Sequence, residues 1–234
     1  MMAEKRRERL RLATQNEIKD IARRLMAENG TAGLGLRAIA REMDVTAPAI
    51  YRYFPSLDDL ITALILENFN ALADAMAAGA DEYAHDDYAG RILGLLLAYR
   101  RWALDHPIDF QLIYGNPIPG YVAPAERTIP AARRGFDVVV GILTDAMRAG
   151  KLSPPAEYLA LPEAIAAQLA GVIAHEGYDA PLVVLYLATV GWTRIHGIVM
   201  LELFNHIQPV VGDSEAFYRF EMQLLMKQLG YPID

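Results

Sequence analysis

Apolar residues along the chain recur at intervals of three and four, the period of an α-helix, and the alternation a half-buried strand needs is missing. The pattern predicts a first helix from Lys5 to Glu28, with Ile18, Ile21, Ala22, Leu25 and Met26 on one face and Asn29-Gly30 as its stop. Short helices are expected over Leu36–Met43 and Ala47–Tyr53. Ser56 opens a long one, Leu57 to about Gly79, with Asp59 at its third position as a capping-box variant. Further helices fit Tyr88–Asp105, Ile108–Tyr114, Pro130–Ala149, Glu157–His175, Ala180–Phe204 and Ser214–Leu229. Prolines 117, 119, 124 and 130 with glycines 115 and 120 make Gly115–Pro130 a loop, or a loop leading into a helix that begins near Ala125. The expectation is an all-α chain of nine or ten helices. A boundary near Pro55 divides a three-helix head, residues 1–55, from a larger helical body, residues 56–234.

Within the head, Leu36 to Phe54 has the anatomy of a helix-turn-helix. Ile39, Ala40 and Met43 form one apolar stripe, and the small Ala40 permits close helix packing. Asp44 stands where the chain leaves the first helix, and Asp tolerates the left-handed conformation better than most residues. Val45 is expected to plug the turn and Thr46 to cap the next helix, with Pro48 tolerated in its first turn. Ile50 and Phe54 face the core. Thr46, Ala47, Pro48, Ala49, Tyr51, Arg52 and Tyr53 then lie outward or flanking, and this set suits DNA. A short helix fits a major groove about 12 Å wide. Small Thr46 and Ala49 allow close approach, Arg52 suits guanine or phosphate, and the two tyrosines offer hydroxyls to phosphate. Arg37 lies in a helical first turn, where free N–H groups also favour an anion. The same pattern is compatible with an ordinary amphipathic helix pair.

Composition narrows the classes. With 53% apolar and 22% charged residues in 234, a packed core is available and global disorder is excluded. The absence of cysteine removes disulfide frameworks, thiolate metal sites and cysteine nucleophiles, and suits a reducing cytoplasm. The basic start, Lys5 to Arg11, has no apolar run behind it, so it is not a secretory signal. The longest uncharged apolar stretch, Ala180–Thr193, has 14 residues, too few to span a bilayer, so a cytoplasmic protein without a membrane partner is expected. The net charge of −7 argues against a polyanionic partner until it is divided. Residues 1–55 hold 11 Lys and Arg against 7 Asp and Glu, a balance of +4. The remainder holds 11 against 22, or −11. The basic stretch at Lys5–Arg11 could follow a nucleic-acid backbone or simply be solvated.

Ile18 to Leu60 resembles the TetR family of bacterial transcriptional regulators. The likeness rests on the helix ending at Asn29-Gly30, Leu36-Arg37-Ala38-Ile39-Ala40-Arg41-Glu42, Ala49-Ile50-Tyr51-Arg52-Tyr53-Phe54-Pro55-Ser56 and Asp58-Asp59-Leu60. The resemblance implies an N-terminal three-helix DNA-binding domain on a larger helical ligand-binding and dimerisation domain. Asp44 replaces a usual turn Gly, and Leu57 a usual Lys that contacts phosphate, so Leu57 is expected to pack instead. Trp192 to Leu203, with His196-Gly197 within it, resembles the Trp-His-Gly signature of one TetR subgroup's C-terminal domain.

The last two long helices are apolar on two faces, which means burial on two sides. One side meets the chain's own core and the other a second copy. The interface candidates are Leu185, Thr189, Val199, Leu203, Phe217, Phe220 and Leu224. In the family these helices form a four-helix dimer interface. Candidates for a ligand pocket are Trp102, Phe110, Tyr114, Met147, Tyr178, Trp192 and His196, which join apolar bulk to polar tips, although such residues at helical spacing also build plain cores.

These readings converge on a homodimeric DNA-binding regulator, a repressor released from a pseudo-palindromic operator on double-stranded DNA by a small, mostly apolar effector. Two classes stand beside it. One is an all-α dimeric ligand-binding or adaptor protein with no DNA role, and the other an enzyme. Gly33-Leu34-Gly35-Leu36-Arg37-Ala38 matches a dinucleotide fingerprint, but it follows a helix instead of a strand, and Gly35 serves as a helix N-cap. His85, His106, His175, His196 and His206 lack metal-ligand spacing, and no nucleophile or zinc motif occurs. No catalytic residue, metal or cofactor is therefore expected.

Overall fold

The structure, a computed structural model, describes residues 2–116 and 118–232, so Pro117 lies outside it. Every regular element among the described residues is a helix. These are α1 (Met2–Asn29), α2 (Leu36–Glu42), α3 (Ala47–Tyr51), α4 (Leu57–Asp81), α5 (Tyr88–Asp105), α6 (Pro107–Tyr114), α7 (Ala125–Arg148), α8 (Ala156–Leu159), α9 (Glu163–Glu176), α10 (Leu182–Leu203), α11 (Gln208–Val211) and α12 (Ser214–Leu229). A single 3-10 turn, Thr31–Gly33, joins α1 to α2.

By packing, the chain falls into two compact units. The first runs to Phe69 and takes in His106–Ala131; the second is Asn70–Asp105 with the chain from Ala132 onward. The first unit's core is the apolar face read from the sequence. Ile18, Ile21, Ala22, Leu25 and Met26 of α1 meet Leu36, Ile39 and Ala40 of α2, Ile50 of α3, Phe54, and Leu60, Ile61, Leu64 and Ile65 of α4. Leu57 packs against this core, as does α6 through Ile108, Leu112 and Ile113. At the start of α4 the Asp59 N–H donates to Ser56 Oγ at 3.1 Å, and the Ser56 hydroxyl donates to the Asp59 carboxylate at 2.6 Å. The carboxylate thus takes the hydroxyl in place of the Ser56 N–H.

In the second unit, α5, α10 and α12 pack around buried polar pairs. Arg100 grips Glu202 through Nε at 2.7 Å and a terminal nitrogen at 2.6 Å, and its guanidinium lies over the Tyr218 ring. The Tyr218 hydroxyl donates to the Leu96 carbonyl at 2.8 Å. Two glycines let backbones touch where α4 meets α5. A Cβ on Gly94 would lie 2.2 Å from the Gly79 carbonyl oxygen, and one on Gly79 2.6 Å from that of Gly94.

Several boundaries differ from expectation. α3 stops at Tyr51, and Arg52 and Tyr53 form a turn, because Pro55 drives the residue before it out of the helical region. The helix expected over Glu157–His175 is split at Pro162 into α8 and α9. α7 starts at Ala125 and carries Pro130 inside it, so the loop leads into a helix, the second of the two alternatives. The four-residue α11 was absent from the pattern, and the described helices number twelve, beyond the nine or ten expected. α4 and α10 are long and apolar enough to cross a membrane by length and composition, more than the 14-residue stretch suggested, and about half of each is buried in protein packing.

Candidate nucleic-acid interface

The turn between α2 and α3 is built on a left-handed residue, Asp44, at φ 52°. Two backbone bonds close it: Asp44 N–H to the Arg41 carbonyl at 3.2 Å and Val45 N–H to the Ala40 carbonyl at 3.0 Å, a Schellman arrangement usually served by Gly. Asp in place of Gly therefore preserves the turn. Gly35 is the N-cap of α2, with extended backbone. Two expectations fail here. Val45 is exposed instead of plugging the turn, because the left-handed step at Asp44 carries the chain outward. Thr46 holds the N-cap position of α3, but its hydroxyl makes no capping bond, and the Ala49 N–H instead meets the Thr46 carbonyl at 2.9 Å.

The outward set lies as follows. Arg37, Thr46, Pro48, Tyr51 and Arg52 are exposed, Ala47 and Ala49 half-buried, and Tyr53 half-buried with its ring against the core. Arg41, one helical turn beyond Arg37 on the same face of α2, is also exposed. It stands outside the set expected from the sequence, although its i+4 spacing from Arg37 is visible there. Three other cations of this unit are committed internally. Lys19 pairs with Glu67, and Arg24 with Glu42 at 2.7 Å. Arg23 reaches both Asp109 oxygens from Nε, at 2.9 and 3.1 Å, and Glu67 at 2.7 Å. Asn68, buried, donates to the same Asp109 at 2.9 Å. Burial opposes the charges on Arg23 and Glu67. Hydrogen bonds and charge pairing overcome it, raising the Arg23 pKa and lowering that of Glu67. Among the described residues Arg37, Arg41 and Arg52 enter no ion pair. The head thus presents three arginines with the Thr46, Tyr51 and Tyr53 hydroxyls around a short helix, the chemistry of phosphate and base-edge contact.

The pocket candidates fall into separate sets. Phe110 and Tyr114 belong to the first unit, with rings 5.1 Å apart. Phe110 is wholly buried, and burial pushes the Tyr114 phenol up to about 12. Trp102, Met147, Tyr178, Trp192 and His196 belong to the second unit. There Trp192 and His196 lie 5.6 Å apart, and His196 Nδ1 is 2.9 Å from the Tyr99 hydroxyl. Burial lowers the His196 pKa. Tyr178 donates to Asp137 beneath the Arg133 guanidinium, and burial followed by the Asp137 bond raises its pKa. Trp102 is buried and Met147 half-buried.

For the dimer candidates, Leu185 and Val199 are buried in the chain's own core, so their side chains are already covered. Thr189 and Phe220 are exposed, and Leu203, Phe217 and Leu224 are half-buried. Leu201 and Phe204, outside the candidate set, are exposed at 47% and 48%, beside 58% for Phe220. A helix with two apolar stripes does not announce which one its own chain covers.

The α1–α3 head, with its left-handed turn and its fringe of unpaired arginines, defines a helix-turn-helix DNA-binding regulator. Comparison with known proteins agrees. The profile for bacterial regulatory proteins of the tetR family matches residues 18–64, and that for the tetracyclin repressor-like C-terminal domain matches residues 92–225, which include Trp192 to Leu203. The chain belongs to the tetR family and is a DNA-binding transcriptional regulator. It is 32% identical over 217 residues to the HTH-type transcriptional regulator Rv1816 of Mycobacterium tuberculosis, covering 92% of this chain and 91% of that one. The crystal structure of SCO4313, described as a regulatory protein, is 34% identical and superposes with a TM-score of 0.75, covering 94% of this chain and 98% of the other. A Rhodococcus sp. RHA1 protein of unknown function shares the fold at 22% identity and a TM-score of 0.71, over 92% and 95% of the two chains.

Proposed function

We propose that this regulator is a homodimeric repressor whose heads, residues 1–55, insert α3 into successive major grooves of a pseudo-palindromic operator. The observation that carries the reading is the exposed, unpaired Arg37, Arg41 and Arg52 around α3, in a unit whose other packed cations are taken up internally. Arg37 and Arg41 hold phosphates. Thr46, Ala47, Pro48 and Ala49 form the close-approach surface, and Tyr51, Arg52 and Tyr53 supply the polar contacts. The body, residues 56–234, binds the effector and pairs with a second copy through α10 and α12. The exposure of Leu201, Phe204 and Phe220 supports this pairing.

The effector is a small apolar molecule with a polar handle. Trp102, Met147, Tyr178, Trp192 and His196, all of the second unit, are its candidate contacts. Its binding favours a dimer whose heads no longer match groove spacing. The protein acts in the cytoplasm and catalyses no reaction. A mobility-shift titration on DNA upstream of its own gene, at several salt concentrations, tests the reading. Binding should weaken steeply with salt, and Tyr51→Ala or Arg52→Ala should each cost about 1–3 kcal/mol. Binding indifferent to salt, or no binding, overturns it.

A further inference from the structure

The head's positive charge is concentrated away from α3. Residues 1–11 hold five Lys and Arg against two Glu, a balance of +3. Residues 12–55 hold six against five, or +1. That basic stretch is helical, the opening turns of α1, and from Lys5 to Glu17 no side chain is buried; the first buried residue is Ile18. Lys5, Arg6, Arg7, Arg9 and Arg11 form no ion pair among the described residues. Lys5 with Arg9 and Arg7 with Arg11 stand on opposite flanks of the helix, with Arg6 between them. Each pair is an i,i+4 like-charge pair, which destabilises a free helix and is relieved by an anion.

We propose that residues 5–13 of α1 form a helical arm that binds the sugar-phosphate backbone beside the segment contacted by α3. The arm lengthens the contacted DNA and supplies much of the salt-dependent affinity. The inference rests on the DNA-binding reading. An anionic bilayer fits less well. The exposed Leu10 and Leu12, at 61% and 50%, are two positions apart and so project from opposite sides of the helix, leaving no apolar face to enter a membrane. Thirteen helical residues before the core reach about 20 Å, roughly six base pairs.

The test compares the full chain with K5Q/R6Q/R7Q/R9Q/R11Q and with R6K/R7K/R9K/R11K, measuring affinity against salt and nuclease protection on the same DNA. Circular dichroism confirms equal helicity in all three. In the Gln variant the slope of log affinity on log salt should fall in magnitude by about 2–4 per chain, at about 0.9 per lost phosphate contact. Protection should shorten at its outer ends, with preference for operator over scrambled DNA retained. The Lys variant should restore both, since a phosphate accepts either cation. An unchanged slope and footprint overturn the arm alone. Loss of sequence preference overturns its backbone role. Loss of binding to phosphatidylserine vesicles with an unaltered DNA slope assigns the arm to a membrane. A wild-type chain that binds no DNA overturns this inference together with the reading beneath it.

Discussion

At the scale of single residues, Asp109 decides more than its position in the chain suggests. It is buried on α6, yet its carboxylate collects Arg23 of α1 and Asn68 of α4. Removing one member of such a cluster leaves the others desolvated and unpaired. Asp109→Ala should cost about 2–4 kcal/mol, below the full price of a deeply buried pair because Arg23 retains some solvent. Asp109→Asn, which keeps an acceptor for Arg23, should cost less. Urea unfolding checks both, and an unchanged midpoint in the Ala variant would remove the cluster's claim to hold the first unit together. The sequence offered no sign of this cluster, since Arg23 and Asp109 are 86 positions apart and neither sits in a local motif. Asp44 is the contrary case. Its left-handed conformation was expected from its place at the end of α2, because backbone sterics are local.

At the scale of elements, most helices were legible and the errors follow from proline. Pro162 divides a run that reads as one helix, whereas α7 continues through Pro130, two residues after the Thr128 N–H has bonded the Pro124 carbonyl at 3.0 Å, and so forgoes one backbone bond. The close contact of α4 with α5 was not legible. Gly79 and Gly94 look like two weak points in helical runs until each is seen to face the other's carbonyl oxygen. Gly94→Ala should destabilise by about 1–3 kcal/mol through overpacking, although Ala is the better helix former. Gly141→Ala, in open space on α7, should be neutral or stabilising by up to about 1 kcal/mol. Thermal melts of the two variants separate packing from propensity; equal shifts would discount the close approach.

At the scale of the whole molecule, charge and oligomeric state govern behaviour. A net charge of −7 conceals a basic head, and within the head most of the excess lies on the first turns of α1. The exposed Leu201 and Phe220 predict self-association. The wild-type chain should sediment at twice its 25.9 kDa at micromolar concentration, and Leu201→Glu with Phe220→Glu should reduce it to the single-chain mass with helicity intact. A single-chain mass for the wild type would refute the dimer.

The sequence by itself determined the helical class, the helix-turn-helix with its core face of Ile18 to Met26, and the outward set around Tyr51 and Arg52. Those features depend on periodicity, backbone sterics and capping, all acting within a few residues. Tertiary structure alone decided which stripe of α10 its own chain covers, burying Leu185 and Val199 and leaving Leu201 exposed. It also decided which cations are consumed in ion pairs and which stay exposed and unpaired. Both depend on partners brought together from distant parts of the chain, and no local pattern records them.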